Sequence, residues 1–185
     1  MEESSSLLSL VQATLAAAAA LLVVGLPLLV ENSAAHRFIH RFPRSQITAI
    51  ITMGAGTAFF LMFHVKNLSP ADFGDFKLLI TIISIAILIL SIVFLPDFLA
   101  VRGMCIIVLL FSREALDAAF LQDQHPTRIV VVSTVYIWIV AALYLSAWPY
   151  RLLDFLEWLF GNRTRLKTMG LVITAHGIFL GVLAL

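Results

Sequence analysis

The stretch KLLITIISIAILILSIVFL, residues 77–95, decides the fold class. Lys77 is its only charged residue, and a helix of this length reaches close to the roughly 30 Å of a bilayer's hydrocarbon core. Its apolar residues follow one another without the alternation of a barrel strand. The stretch therefore predicts a transmembrane α-helix.

Five further apolar segments extend this prediction to the whole chain. We predict an all-α integral membrane protein with a six-helix transmembrane bundle, forming one transmembrane domain over residues 1–185. The predicted spans are at about 7–30, 47–65, 77–95, 98–121, 128–148 and 169–185. Composition agrees, because 61% of the residues are hydrophobic and 12% are charged, against roughly 45–50% and about 25% in soluble domains.

Prolines and small residues suggest how these helices are arranged. Pro27, Pro96 and Pro149 fall near the ends of the first, third and fifth segments, where proline helps to stop a helix. This spacing is compatible with three sequential helical hairpins. In the second segment, Gly54, Ala55 and Gly56, with Ala58 four residues after Gly54, form a small-residue face that predicts close helix packing.

Several classes of function find no support in the sequence. The net charge is +1 and no long basic run occurs, so no nucleic-acid partner is expected. The single cysteine, Cys105, excludes a disulfide framework and a cysteine-based zinc site. His36 and His40 have a spacing that suits a metal but lack further ligands, so no metal site is predicted. Hydrolase, zinc-protease and nucleotide-binding motifs are absent, so the sequence favours a protein that is not an enzyme and predicts no catalytic residue.

The distribution of lysine and arginine predicts the orientation. With six spans, one side of the membrane has eight of these residues: Arg37, Arg41, Arg44, Arg102, Arg151, Arg163, Arg165 and Lys167. The other side has four: Lys66, Lys77, Arg113 and Arg128. We therefore expect a multi-pass protein of the cell membrane, in a bacterial inner membrane, with both termini extracytoplasmic. If the fourth segment were re-entrant, the count would be six against six and the bias would vanish, so six spans are preferred.

Residues 150–160 predict a short amphipathic helix before the last span. Arg151, Asp154 and Glu157 recur every three residues among aliphatic and aromatic side chains. We expect this helix to lie along the cytoplasmic interface, with the lipid bilayer as its partner. The predicted lipid-interface residues are Trp148, Tyr150, Trp158, Arg163, Arg165 and Lys167, the last three being placed to meet anionic lipid.

The fourth segment carries charges that a membrane span rarely has. If its helix begins at Gly103, Arg113 lies about 15 Å along it, near mid-bilayer, where an arginine costs at least about 2.5–3.5 kcal/mol. Arg113, Glu114 and Asp117 would then form one polar patch facing the bundle interior or a wet cavity. In the alternative interpretation the helix begins nearer Phe98, and these charges lie outside the membrane.

Two histidines complete the candidate intramembrane polar site of Arg113, Glu114, Asp117, His176 and His64. His176 lies well inside the sixth segment and His64 near the outer end of the second. For His176 three interpretations stand: an interhelical hydrogen bond to a serine or threonine, a proton relay, or an axial ligand of haem or chlorophyll. No cofactor is predicted, and the haem or chlorophyll option rests on His176 alone.

The leading functional hypothesis is a non-catalytic scaffold or accessory subunit of a membrane complex, with other membrane subunits or a second copy of the chain as partners. The small size and the few polar groups inside the spans motivate it. One alternative is a small-solute or proton-coupled transporter that uses the polar patch of the fourth span. The other is a haem- or pigment-binding subunit.

Overall fold

The computed structural model describes residues 9–30, 37, 39, 41–69, 73–95, 97–120 and 127–184. Every regular element in these ranges is helical, which confirms the all-α prediction. The seven α-helices are α1 (Leu10–Leu29), α2 (Gln46–Phe59), α3 (Lys77–Phe94), α4 (Leu99–Ala119), α5 (Thr127–Ala147), α6 (Arg151–Phe160) and α7 (Arg163–Leu183). Helix α2 continues as a π-helix over Phe60–Val65.

Within the described residues, five stretches of helix are long and apolar enough to cross a membrane: Leu10–Leu29, Gln46–Val65, Gly74–Phe94, Arg128–Ala147 and Arg163–Leu183. Helix α4 has a comparable length of 21 residues, or about 32 Å, but it contains four charged residues. It is one uninterrupted helix, without the turn at which a re-entrant segment would reverse.

Contacts along the chain divide it into two compact units. Unit 1 consists of Met1–His40, Phe111–Ala141 and Leu153–Leu185. Unit 2 consists of Arg41–Leu110 and Ala142–Leu152. A single transmembrane domain over residues 1–185 stays a prediction.

In unit 1, α1 packs along α7 in an antiparallel sense. A Cβ atom added to Gly170 would lie 2.7 Å from the backbone nitrogen of Leu29, and one added to Gly177 would lie 3.2 Å from the carbonyl oxygen of Ala18. Both distances are shorter than ordinary van der Waals contacts of a Cβ atom, so the two backbones approach each other closely. Small residues are the usual means of close packing in membranes, where apolar contact alone does not favour helix association.

The rest of the unit 1 core is also built from small residues. Its buried members are Ala13, Ala17, Ala18, Ala115, Ala118, Val131, Val135 and Leu180. The ring of Phe111 lies 6.0 Å from that of Trp138 at the edge of this cluster. Alanine keeps high helix propensity while allowing close approach, so the alanine-rich sequence of α1 serves both the helix and its packing.

In unit 2, α2 and α4 are joined through Thr52. Its hydroxyl donates to the carbonyl of Thr48 at 2.9 Å and lies 3.4 Å from the carbonyl oxygen of Ala100. Further along both helices, a Cβ added to Gly56 would lie 3.0 Å from the Cγ2 of Ile106. A Cβ on Gly54 would meet no atom within 4 Å. The prediction of close packing is therefore confirmed for Gly56 and wrong for Gly54. These glycines are two residues apart, so they point in directions about 200° apart around the helix.

Helix α3 in unit 2 has no buried residue along its entire length. Leu88 and Ile92 are half-buried and pack against a small cluster that includes Met53. Two of its polar side chains bond to their own helix, since Thr81 and Ser84 donate to carbonyls four residues earlier at 2.8 Å. Apart from Lys77 and Ser91, the remaining side chains of α3 are hydrocarbon, as a helix immersed in lipid or covered by a partner requires.

Candidate functional site

The charged residues of α4 do not form the single patch that was predicted. Arg113 Nε lies 3.7 Å from Asp117 Oδ2, and these two side chains are 58% and 53% exposed. Glu114 is only 5% exposed and lies in the interior of unit 1. Successive helix residues point about 100° apart, so Arg113 and Asp117 share an outer face while Glu114 points inward.

The start of α4 fixes how far these charges lie along it. The helix begins at Leu99, four residues before Gly103. Arg113 is consequently about 21 Å from the first residue and about 9 Å from the last, Ala119. The observed start is the one that the alternative interpretation assumes, near Phe98. That these charges lie outside the membrane stays a prediction.

His176 on α7 makes an interhelical hydrogen bond within unit 1. Its Nε2 lies 3.0 Å from the Oγ1 of Thr134 on α5, and the same hydroxyl donates to the carbonyl of Val130 at 2.8 Å. A hydroxyl has one hydrogen to donate. We therefore assign a proton to Nε2 of His176, which donates to Thr134. Sequence reasoning considered such a partner without identifying Thr134.

This bond also bears on the haem or chlorophyll option. An axial ligand binds its metal through a ring nitrogen with a lone pair, and a second contact normally orients the other nitrogen. Because Nε2 of His176 is engaged by Thr134, only Nδ1 would be left for a metal. The hydrogen bond accounts for the histidine without a cofactor.

His64 belongs to unit 2 and lies in the π-helix after α2. Its ring stacks on Phe60 at 5.8 Å and lies 5.9 Å from the ring of Phe59. The candidate polar residues are thus divided, with His64 in unit 2 and the other four in unit 1. His36 and His40 lie outside the described residues. Within the described ranges, no group of three or more histidine, cysteine or acidic side chains could hold a metal ion.

The amphipathic helix is α6, Arg151–Phe160, close to the predicted range 150–160. Leu156 and Leu159 are buried, and Leu159 packs with Leu28 and Leu166 in unit 1. On its outer side Phe155 and Trp158 are exposed, with ring centroids 5.9 Å apart. Sequence reasoning named Trp158 but not Phe155, whose helical spacing of three from Trp158 was the available signal.

Helix α7 starts at Arg163, six residues before the predicted start of the last span. Asn162 caps it, because the Thr164 N–H donates to Asn162 Oδ1 at 2.8 Å. Residues 163–168, between the predicted amphipathic helix and the predicted last span, therefore form the first two turns of a membrane-length helix. Arg163, Arg165 and Lys167 are all exposed there.

Arg165 is the cation with the best defined surroundings. Its guanidinium carbon lies 4.8 Å from the centre of the Trp158 ring, and its Nη1 donates to the carbonyl oxygen of Trp158 at 3.4 Å. Among the remaining predicted interface residues, Trp148 and Tyr150 are half exposed and belong to unit 2. Trp148 lies 5.3 Å from the ring of Tyr144, and the Arg151 guanidinium lies 5.6 Å from that of Tyr150.

The fold and composition define an all-helical chain with helices of membrane length and apolarity. No protein-family model, curated protein or solved structure matches the chain. The functional proposals therefore rest on its own residues.

Proposed function

We propose that this chain is a six-span protein of the cell membrane, with both termini extracytoplasmic, that acts as a non-catalytic scaffold or accessory subunit of a membrane complex. Helix α4 would cross the membrane in addition to the five stretches of membrane length and apolarity. The excess of lysine and arginine on one side of the predicted spans supports the orientation. The length of α4 supports its crossing of the membrane.

The observation that carries the proposal is the exposure of α3. None of its residues is buried, whereas α1 and α7 each bury several. A helix that contributes so little to the core of its own unit offers a long apolar surface to its surroundings. In a subunit of a complex, this surface is where another membrane helix would pack.

Five hydroxyl groups of the described helices agree with a structural role, whereas the buried hydroxyls of Ser112 and Thr174 have no hydrogen-bond partner within the described residues. The hydroxyls of Thr14, Thr52, Thr81, Ser84 and Thr134 each donate to the carbonyl four residues earlier in their own helix. Such hydroxyls are already used by the backbone. They are therefore poorly suited to replace the hydration shell of a transported solute.

Site-specific photocrosslinking tests the proposal in native membranes. A photoreactive residue at Ile87 on α3, which is 56% exposed, is expected to give a discrete adduct with another polypeptide. The matched control is Ile137 on α5, which is 68% exposed and equally apolar. Lipid adducts alone at both positions would contradict an assembly role for α3.

A proton-coupled or small-solute transporter is the second candidate, and the burial of Glu114 favours it. Ionisable residues inside membrane helices are functional candidates by default, because they are costly to bury. A flux of protons or of a small solute across proteoliposome membranes that is lost in Glu114→Gln but kept in Asp117→Asn would support transport. Equal flux in both variants, or none in the parent protein, would count against it.

A further inference from the structure

The corner between α6 and α7 brings aromatic and basic side chains together at one end of a membrane-length helix. Phe155 and Trp158 are exposed on α6, and Arg163, Arg165 and Lys167 are exposed on the first turn of α7. Only Gly161 and Asn162 separate the two helices. The cations and the rings therefore lie on adjacent surfaces of unit 1.

Arg165 is held in place by two contacts with one residue. Its guanidinium stacks over the Trp158 ring at 4.8 Å, and Nη1 donates to the carbonyl oxygen of Trp158 at 3.4 Å. A guanidinium has five N–H donors, of which that carbonyl takes one. The others present a planar, pre-oriented set of donors that matches the two oxygens of a phosphate better than the point charge of a lysine does.

The position of this corner specifies the chemistry of the partner. Helix α7 is apolar enough to cross a membrane, and Arg165 lies in its first turn. A cation at the end of such a span lies at headgroup depth, where the phosphates of phospholipids are found, and exposed tryptophan is enriched at the same depth. The same end of the protein is the predicted cation-rich side, which favours lipids with a net negative charge.

We propose that Trp158 and Arg165 form a headgroup site for anionic phospholipid, with Arg163 and Lys167 adding attraction. Arg165 donates to the lipid phosphate while Trp158 holds the guanidinium and contacts the upper acyl region with Phe155. Asp154 and Glu157 on α6 offset part of the positive charge. This charge balance makes the geometry of Arg165 more important than the number of cations. The site is independent of the scaffold proposal, since a transporter could equally possess it.

Native mass spectrometry of the full chain in mild detergent tests this site. Phosphatidylglycerol and phosphatidylcholine with identical acyl chains are titrated separately, and the fraction of protein retaining lipid is measured. The parent protein is expected to retain phosphatidylglycerol at least about fivefold better, since each cation near an anionic surface contributes about that factor. Equal retention of the two lipids would overturn the proposal.

Four variants locate the site. Arg165→Gln is expected to lower phosphatidylglycerol retention roughly fivefold, and Arg165→Lys to lower it less. Trp158→Leu is expected to lower it without any change in charge. The control is Lys66→Gln, an exposed cation at the end of another helix, which should leave retention unchanged. If Arg165→Gln behaved like Lys66→Gln, the site would be wrongly placed.

Two further measurements distinguish lipid binding from binding of a soluble anion and from loss of the fold. Excess inorganic phosphate should not displace the lipid, because it lacks the acyl chains that Trp158 and Phe155 contact. Complete displacement would show a soluble-anion site and overturn the proposal. Each variant must keep the thermal unfolding temperature of the parent, and Arg165→Lys, which retains the charge, provides the comparison if Arg165→Gln fails to fold.

Discussion

The Nε2 of His176 on α7 lies 3.0 Å from the Oγ1 of Thr134 on α5. Both residues are seven positions from an end of their helix, or about 10 Å along the axis. A histidine at that depth would be costly without a partner, and the threonine supplies one. The bond thus links two helices of unit 1 through the one histidine that the sequence places well inside a span.

A double-mutant cycle measures this bond. His176→Leu and Thr134→Val are each expected to destabilise the protein, with a coupling free energy of about 0.6 kcal/mol and at most roughly 1.7 kcal/mol, as for other interhelical bonds in membranes. Thermal unfolding in one detergent provides the measurement. The control pairs His176→Leu with Thr168→Val, because Thr168 bonds only to its own helix. Coupling of the same size in both cycles would contradict a specific bond.

Glycine substitutions test the close approach of α1 and α7. Gly170→Ala places a Cβ 2.7 Å from the backbone of Leu29, so we expect a loss of about 1–3 kcal/mol in the free energy of unfolding. Gly54→Ala is the matched control, because its Cβ meets nothing within 4 Å and alanine has the higher helix propensity. The account fails here if the two variants unfold at the same temperature.

The sequence predicts the helices better than it predicts their faces. Uninterrupted apolarity and length were enough to place the helices within a few residues, apart from α7. There, the predicted span begins at residue 169, after the basic side chains, although Asn162 caps a helix that includes them. Basic composition does not decide between a loop and the exposed first turn of a helix.

The candidate polar site shows the same limit. Spacing alone grouped Arg113, Glu114 and Asp117, yet the structure separates Glu114 from the other two. Which of two neighbouring positions faces inward depends on the helices packed against α4, and a sequence pattern with few polar residues does not specify them. The partner of His176 was unspecified for the same reason.

The two carboxylates of α4 should respond differently to truncation. Glu114→Ala removes a buried polar side chain, so we expect a loss of about 1–3 kcal/mol in unfolding free energy. Asp117→Ala breaks only an exposed ion pair and should cost less than about 1 kcal/mol. Chemical or thermal unfolding of both variants in the same detergent compares them. A larger effect at Asp117 would mean that the inward face of α4 is wrongly identified.

Cysteine labelling tests whether α4 crosses the membrane. In a Cys105→Ala background, cysteines replace Asp97 and Phe120, exposed residues that flank α4. A membrane-impermeant maleimide added to intact cells should label the cysteine at position 120, whereas the one at position 97 should react only after the membrane is opened. Labelling of both from the same side would support the re-entrant alternative.

Purification at native expression tests the assembly role most directly. The chain is extracted from its own membrane in mild detergent through an affinity tag, and its mass is measured by native electrophoresis and mass spectrometry. The account predicts a complex well above the 20.4 kDa of the chain, containing a second membrane polypeptide in fixed proportion. A chain that migrates alone, with only lipid and detergent bound to it, would contradict the proposal.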